Sequence, residues 1–137
     1  MSRWWLFKTE PSAYSFTQLE TDGRATWDGV KNPLALKHLA AVAEGDRVFV
    51  YHTGDEKAVV GVARAVSAAY ADPKKSDAKL LVVDIEPVRA LAKPVSLAAV
   101  KANRRFAGFD LVRLPRLSVM PVSDEQAAEI ERMAKGG

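Results

Sequence analysis

Three consecutive β-type runs in the middle of the chain constrain its fold more than any other feature. They span residues 47–52, 58–69 and 79–90, and each is rich in the residue types that favour strands. Polar turns separate them, at Gly54-Asp55 and at residues 72–77. Many short strands of this kind predict a small, partly closed barrel rather than a doubly wound parallel sheet.

Further strand and helix signals flank these runs. The segment WWLFK at residues 4–8 predicts a strand covered on both faces, and LSVM at residues 117–120 predicts a late strand. Helix starts are marked by residues that cap helices well, namely Ser15, Asn32, Ser96 and Ser123.

The helix that begins at Asn32 carries the clearest pattern. Asn32 is a good N-cap, and the proline that follows it suits the first helical position. We expect this helix to end near Glu44-Gly45, with His38 on its solvent side. Its buried face is expected to consist of Leu36, Leu39, Ala40 and Ala43.

Length and composition indicate one globular domain that spans residues 1–137. The chain has 137 residues, of which 48% are hydrophobic and 27% charged, so it can bury one core but not two. We expect only residues 135–137 to be frayed. The predicted class is α+β, mainly β, with about five to six mixed strands and short helices at the ends.

Composition also excludes several kinds of function. The chain has no cysteine and only two histidines, so it predicts neither disulfides nor a thiolate or multi-histidine metal site, and no cofactor is expected. No apolar run approaches the roughly 18 residues that span a bilayer, and the N-terminus lacks a signal-peptide pattern. We therefore expect a soluble, cytoplasmic protein without a membrane partner. The net charge of +3 favours polyanionic partners only mildly.

Five short motifs, in order and spacing, resemble the EVE domain family. They are WLFKTEP, WDGVKN, VYHTG, GVARAV and RLSVMP, and together they cover residues 4 to 121. The resemblance implies a PUA-like pseudo-barrel related to the YTH and ASCH readers. It also implies binding of nucleic acid, DNA or RNA, with a flipped, modified base taken into an aromatic-walled pocket. We expect the protein to be a monomer.

The WDGVKN motif supplies the main candidates for that pocket. Trp27 is the expected wall, because a flipped base needs a flat apolar surface; the alternative is that its ring only packs on the barrel. If its ring is exposed at the turn, replacement by alanine should leave the fold intact. Asp28 and Asn32 offer hydrogen bonds to a base edge, although each has an alternative role as turn former or helix cap. Lys31 is a candidate for a phosphate contact, and a solvated lysine is the alternative.

The ends of the first and third predicted strands supply further candidates. Tyr51 is a possible second wall, and His52 and Thr53 are possible hydrogen-bonding groups; a structural role for His52 is the alternative. Lys8 and Glu10 end the first strand and either face the ligand or pair with each other. Arg116, before the late strand, is expected to face phosphate.

Two other functions are compatible with the same residues. One is a PUA-like module that binds structured RNA. The other is a nucleotide-processing enzyme with His52 paired to Asp28 or Glu10 and with Thr53 or Ser118 as nucleophile. No phosphate-cradling glycine loop or nucleophile-elbow motif accompanies these residues, so no catalytic residue is assigned.

Overall fold

A computed structural model describes residues 2–136. The strands are β1 Trp4–Thr9, β2 Ala25–Trp27, β3 Arg47–His52, β4 Ala58–Ala65, β5 Tyr70–Ala71, β6 Leu81–Ser96 and β7 Val119–Val122. The helices are α1 Phe16–Asp22, α2 Pro33–Ala40, α3 Leu97–Lys101, α4 Asp110–Arg113 and α5 Asp124–Ala134, with a 3-10 turn at Arg104–Phe106.

The strands form one mixed, curled sheet in a half-barrel, which confirms the predicted fold class. Their order is β2-β6-β4-β3-β1-β7, and β5 pairs with β6 beside this path. The strand count is seven rather than five or six. The two extra strands, β2 and β5, have three and two residues, too few to carry a strand pattern of their own.

The pairing of β1 with β3 is parallel, whereas the other pairings are antiparallel. Parallel neighbours need a long crossover, and residues 10–46 supply it as α1, β2 and α2. Lys8 lies opposite Tyr51 and Thr9 opposite His52, so both strands end at the same edge. The backbone N–H of Thr53 donates to the carbonyl of Thr9 at 2.9 Å and holds the two ends together.

At the other end of β1, the buried carboxylate of Asp46 ties three segments together. It accepts hydrogen bonds from the backbone N–H groups of Arg3 at 3.0 Å and Ala43 at 2.9 Å, and from the Trp5 indole N–H at 2.9 Å. Burial alone would raise the pKa of this carboxyl, but the three donors outweigh that effect and hold the pKa below its ordinary value.

The predicted cap of α2 is confirmed, whereas its predicted buried face is right for Leu39 and the partly buried Leu36 and wrong for the two alanines. Asn32 Oδ1 accepts from the backbone N–H groups of Leu34 and Ala35, and the helix ends at Ala40 instead of Glu44. Ala40 and Ala43 are exposed because the buried stripe begins at Ala35, the first turn after the proline, and continues to Leu39.

His38 is half-buried rather than on the solvent side of α2. Its ring lies 6.4 Å from that of Trp5, measured between ring centroids. Burial lowers the pKa of His38, so its neutral form is favoured.

The chain end is hydrogen-bonded as far as the structure describes it. The backbone N–H groups of Lys135 and Gly136 donate to the carbonyls of Arg132 and Met133, and Gly137 lies outside the described residues. Among the helices of residues 2–136, none is long and apolar enough to cross a membrane.

Candidate nucleic-acid-binding site

Three adjacent clefts open where β1 and β3 end. We call the first the Trp27 cleft; it has a volume of about 380 Å³ and is lined by residues of β1, β2 and the segment before α1. The Tyr51 cleft, of about 270 Å³, shares Lys8 with it. The Asn32 cleft, of about 320 Å³, shares Pro115 with the Tyr51 cleft. The three clefts therefore adjoin one another.

Trp27 is mostly a core residue, so the expectation of an exposed wall is wrong. The residue lies in β2 opposite Val83 of β6, and only 8% of its surface is exposed. Its ring centroid lies 5.5 Å from that of Phe7 and 6.3 Å from that of Tyr14. Only the remaining exposed part of Trp27 borders the cleft, because strand pairing turns the ring inward.

Tyr14 is an aromatic wall that the sequence analysis missed. Its ring meets Trp27 edge to face, with 85° between the planes, and it lines the same cleft. Its hydroxyl donates to Asp22 at 2.8 Å. Burial, together with this carboxylate, raises the pKa of Tyr14 to about 12, so the phenol stays neutral. The available signal was an aromatic residue directly before the Ser15 helix cap.

The segment that carries Tyr14 is held by buried contacts. The backbone N–H of Phe16 donates to His52 Nε2 at 3.0 Å. The Phe16 ring packs so closely on Gly61 of β4 that a Cβ added there would lie 2.5 Å from ring carbons. The absence of a side chain at Gly61 thus lets the start of α1 settle against the sheet.

Lys8 stands between the Trp27 and Tyr51 clefts. Its ammonium donates to the Pro115 carbonyl at 2.8 Å and lies 5.6 Å from the centroid of the Tyr51 ring. Partial burial lowers the pKa of Lys8. Among residues 2–136 we find no ion pair between Lys8 and Glu10, one of the arrangements expected from sequence.

A family model described as EVE domain matches residues 3–133. The chain belongs to the EVE domain family. It is 28% identical over 160 residues to Thymocyte nuclear protein 1 of Rattus norvegicus, an alignment that covers 92% of this chain and 71% of that protein.

Solved structures resemble this EVE domain along nearly its whole length. A protein from Rhodopseudomonas palustris has a TM-score of 0.92 and 40% identity, covering 97% of this chain and 93% of that one. Human THYN1 in complex with 5-methylcytosine-containing DNA has a TM-score of 0.88 and 25% identity, covering 98% of both chains.

The polar candidates of this EVE domain divide among the clefts. Asp28 is exposed and lines the Trp27 cleft, whereas Thr53 lines the Tyr51 cleft. Asn32 and Arg116 line the third cleft. Lys31 is exposed beside Asn32 but lines none of the three. Apart from Lys31, these polar residues predicted from sequence therefore lie in adjoining clefts rather than in one shared pocket.

Asn32 keeps one hydrogen-bonding function free for a ligand. Its Oδ1 is used by the cap of α2 at 2.9 and 3.1 Å. Within residues 2–136 its side-chain NH₂ has no hydrogen-bond partner, and Asn32 lines the same cleft as Arg116. The residue can cap the helix and donate to a ligand at once.

Both ring nitrogens of His52 have hydrogen-bond partners within the protein. Its ring is buried, Nε2 accepts from Phe16, and Nδ1 lies 2.7 Å from Glu56 Oε1, so Nδ1 carries the proton. Glu10 accepts instead from Ser12 and from the Thr53 hydroxyl. The pairing of His52 with Asp28 or Glu10 that the enzymatic hypothesis requires does not occur in the described structure. No group of three or more potential metal ligands lies together in residues 2–136.

Proposed function

We propose that this EVE domain is a non-enzymatic nucleic-acid-binding module that reads a modified base, such as a modified cytosine in DNA. The observation that carries the proposal is the Trp27 cleft, where the aromatic side chains of Tyr14 and Trp27 meet the polar groups of Lys8 and Asp28. A structural relative, human THYN1, was solved with 5-methylcytosine-containing DNA, which supports the same ligand class.

The cleft suits a base that has left the stack. The exposed surface of Tyr14 and the remaining edge of Trp27 offer aromatic contact worth ~1–3 kcal/mol per stacked base. The Asp28 carboxylate can accept from an exocyclic amino group, and the Lys8 ammonium can donate to a carbonyl. Because one stacked base binds weakly, most of the affinity must come from these polar contacts and from phosphates.

The phosphate contacts are assigned to the exposed cations near the Asn32 cleft. Lys31 and Arg116 are both exposed, and Asn32, whose NH₂ is available, lines the same cleft as Arg116. Backbone contacts of this kind fix orientation without reading sequence. We accordingly propose that affinity depends on the modification more than on the flanking sequence.

His52 and Glu10 are excluded from the proposed ligand set. The hydrogen bond from Phe16 to His52 fixes the start of α1, and hence the segment that holds Tyr14. His52 is therefore a positioning residue rather than a ligand contact. Thr53 and Tyr51 belong to the neighbouring cleft.

The test compares short duplexes that differ only at one cytosine, which is unmodified, 5-methylated or 5-hydroxymethylated. At one fixed salt concentration, the modified duplexes should bind several-fold more tightly than the plain one. A structured RNA hairpin serves as the comparison ligand, and the same samples are checked for turnover. Equal affinities for all three duplexes would exclude the modified-base proposal, and tighter binding of the hairpin would identify an RNA-binding module.

A further inference from the structure

Lys57 has an unusual backbone conformation at the lip of the Tyr51 cleft. Its φ is +47°, and it is the only non-glycine residue with positive φ among residues 2–136. This left-handed region is crowded for a residue with a Cβ and is normally occupied by glycine. Such outliers persist where the surrounding structure enforces them, and they cluster at functional sites.

Backbone pairing on one side fixes this conformation. The Lys57 carbonyl accepts from the N–H of Leu97 at 2.8 Å, where α3 begins. The next residue, Ala58, starts β4 and pairs with Ser96 of β6. A glycine would satisfy the same backbone geometry, so folding does not require a lysine at this position.

The Lys57 side chain is exposed and lines a cleft with a distinctive composition. Lys8 is the second cation of its lining, and the Thr53 hydroxyl is a neutral polar group. The remaining surface is largely apolar and includes Tyr51, Leu97 and Pro115.

The acidic groups nearby are hydrogen-bonded within the protein, and one of them, Glu10, borders the cleft. Glu56 is bound to His52, and Glu10 lies at the rim beside Gly54, where it accepts from Ser12 and Thr53. A cleft with two lysines and an apolar floor suits a phosphodiester and the flat face of the nucleotide attached to it.

We propose that the Tyr51 cleft is a second nucleotide subsite, in which Lys57 and Lys8 hold the phosphodiester that links the extruded nucleotide to its neighbour. The inference rests on the proposed function, because the extruded base occupies the adjoining Trp27 cleft. Lys8 lines both clefts, which places them side by side as binding of consecutive nucleotides would require. The neighbouring nucleotide lies against the apolar floor, a contact that tolerates any base.

The experiment removes the cation in two ways. Lys57→Gln removes the charge and keeps the backbone conformation, whereas Lys57→Gly removes the charge and accepts the positive φ without a steric cost. Lys93→Gln is the matched control, because this exposed lysine lines a separate cavity against α5. The ligand is a short duplex with one 5-methylcytosine.

Both Lys57 variants should bind this duplex roughly three- to tenfold more weakly than the wild type at about 0.1 M salt. The slope of log K against log salt should be smaller in magnitude by ~0.9, which corresponds to one lost phosphate contact. Lys57→Gly should melt at a higher temperature than Lys57→Gln, because only glycine adopts this conformation freely. Lys93→Gln should change neither the affinity nor the slope. If both Lys57 variants keep the wild-type slope of log K against log salt, the proposal is overturned.

A linkage scan identifies the phosphate itself. Methylphosphonates, which are uncharged, replace the linkages around the 5-methylcytosine one at a time. One replacement adjoining the modified nucleotide should weaken the wild type but have little further effect in Lys57→Gly. Equal losses in both proteins at every linkage would overturn the proposal. The replaced linkage could weaken only the wild type while the wild type binds methylated and plain duplexes equally. In that case the subsite is supported and the modified-base function is excluded.

Discussion

At the scale of single residues, Trp27 belongs to both the core and the cleft. It packs on Phe7 and Tyr14 while a small part of its surface borders the open cleft. The sequence indicated the residue but not its burial, because burial depends on pairing with β6, more than fifty residues along the chain. For His52 the sequence left a ligand role and a structural role open for the same reason: its partner Phe16 lies in another element.

Trp27→Ala should therefore lower the free energy of unfolding by ~3–5 kcal/mol, as for other buried tryptophans. Trp27→Phe should retain most of that stability and part of the affinity for methylated DNA. Urea unfolding gives the stability of each variant, and titration of the folded protein gives the affinity.

Leu39→Ala provides the comparison, because Leu39 is buried in α2 and lines none of the three clefts. It should lose stability while the folded fraction binds normally. An unchanged urea midpoint for Trp27→Ala would contradict the burial of its ring.

At the scale of elements, the sequence predicted the features that depend on neighbouring residues, namely long strands and helix caps. The strands β1 and β3 were predicted closely, and the caps at Ser15, Asn32 and Ser123 were confirmed. The strands β2 and β5 were missed because they exist only by pairing with the long strand β6. The clefts lie between elements, so their lining could not be assigned from any one motif.

The Asp46 tether between β1 and the segment after α2 predicts a pH dependence of stability. The pKa of this carboxyl is lowered in the folded protein, so its contribution is present above its ordinary value of 3.8 and is lost as pH falls through the lower, folded value. Below about pH 4 the wild type should therefore lose stability more steeply than Asp46→Asn. Asp46→Asn should also be less stable near pH 7, because a side-chain NH₂ cannot accept the hydrogen bonds.

Thermal unfolding at a series of pH values measures this difference. Asp55→Asn, at an exposed turn, serves as the control and should follow the wild-type profile. Parallel pH profiles for Asp46→Asn and the wild type would contradict the assigned role.

At the scale of the whole molecule, charge is dispersed rather than concentrated. The net charge is only +3, and several arginines are bound to carboxylates, including Arg24 and Arg64 to Glu86. The cations left near the clefts include Lys8, Lys31, Lys57 and Arg116. Composition predicts a modest attraction for polyanions, but it could not show which cations are occupied by ion pairs.

Binding to duplex DNA should accordingly show a shallow salt dependence. With about three to five phosphate contacts, log K should change against log salt with a slope of roughly −3 to −5. Fluorescence anisotropy at a series of salt concentrations measures the slope. A slope near zero would indicate a small-molecule or protein ligand, and a slope near −10 would require a larger basic surface than these clefts provide.

The position of β1 between β3 and β7 determines when the binding surface can form. The first strand of the chain pairs with residues 119–122, more than a hundred positions later, and Lys8 is anchored on Pro115. Contacts between residues this far apart in sequence form late, because closing the intervening loop costs conformational entropy before the contact can stabilise the fold. During synthesis, β1 cannot pair with its second neighbour until residues 119–122 have left the ribosome. A partly synthesised protein thus lacks the completed clefts, and the ability to hold a ligand arises together with the finished fold.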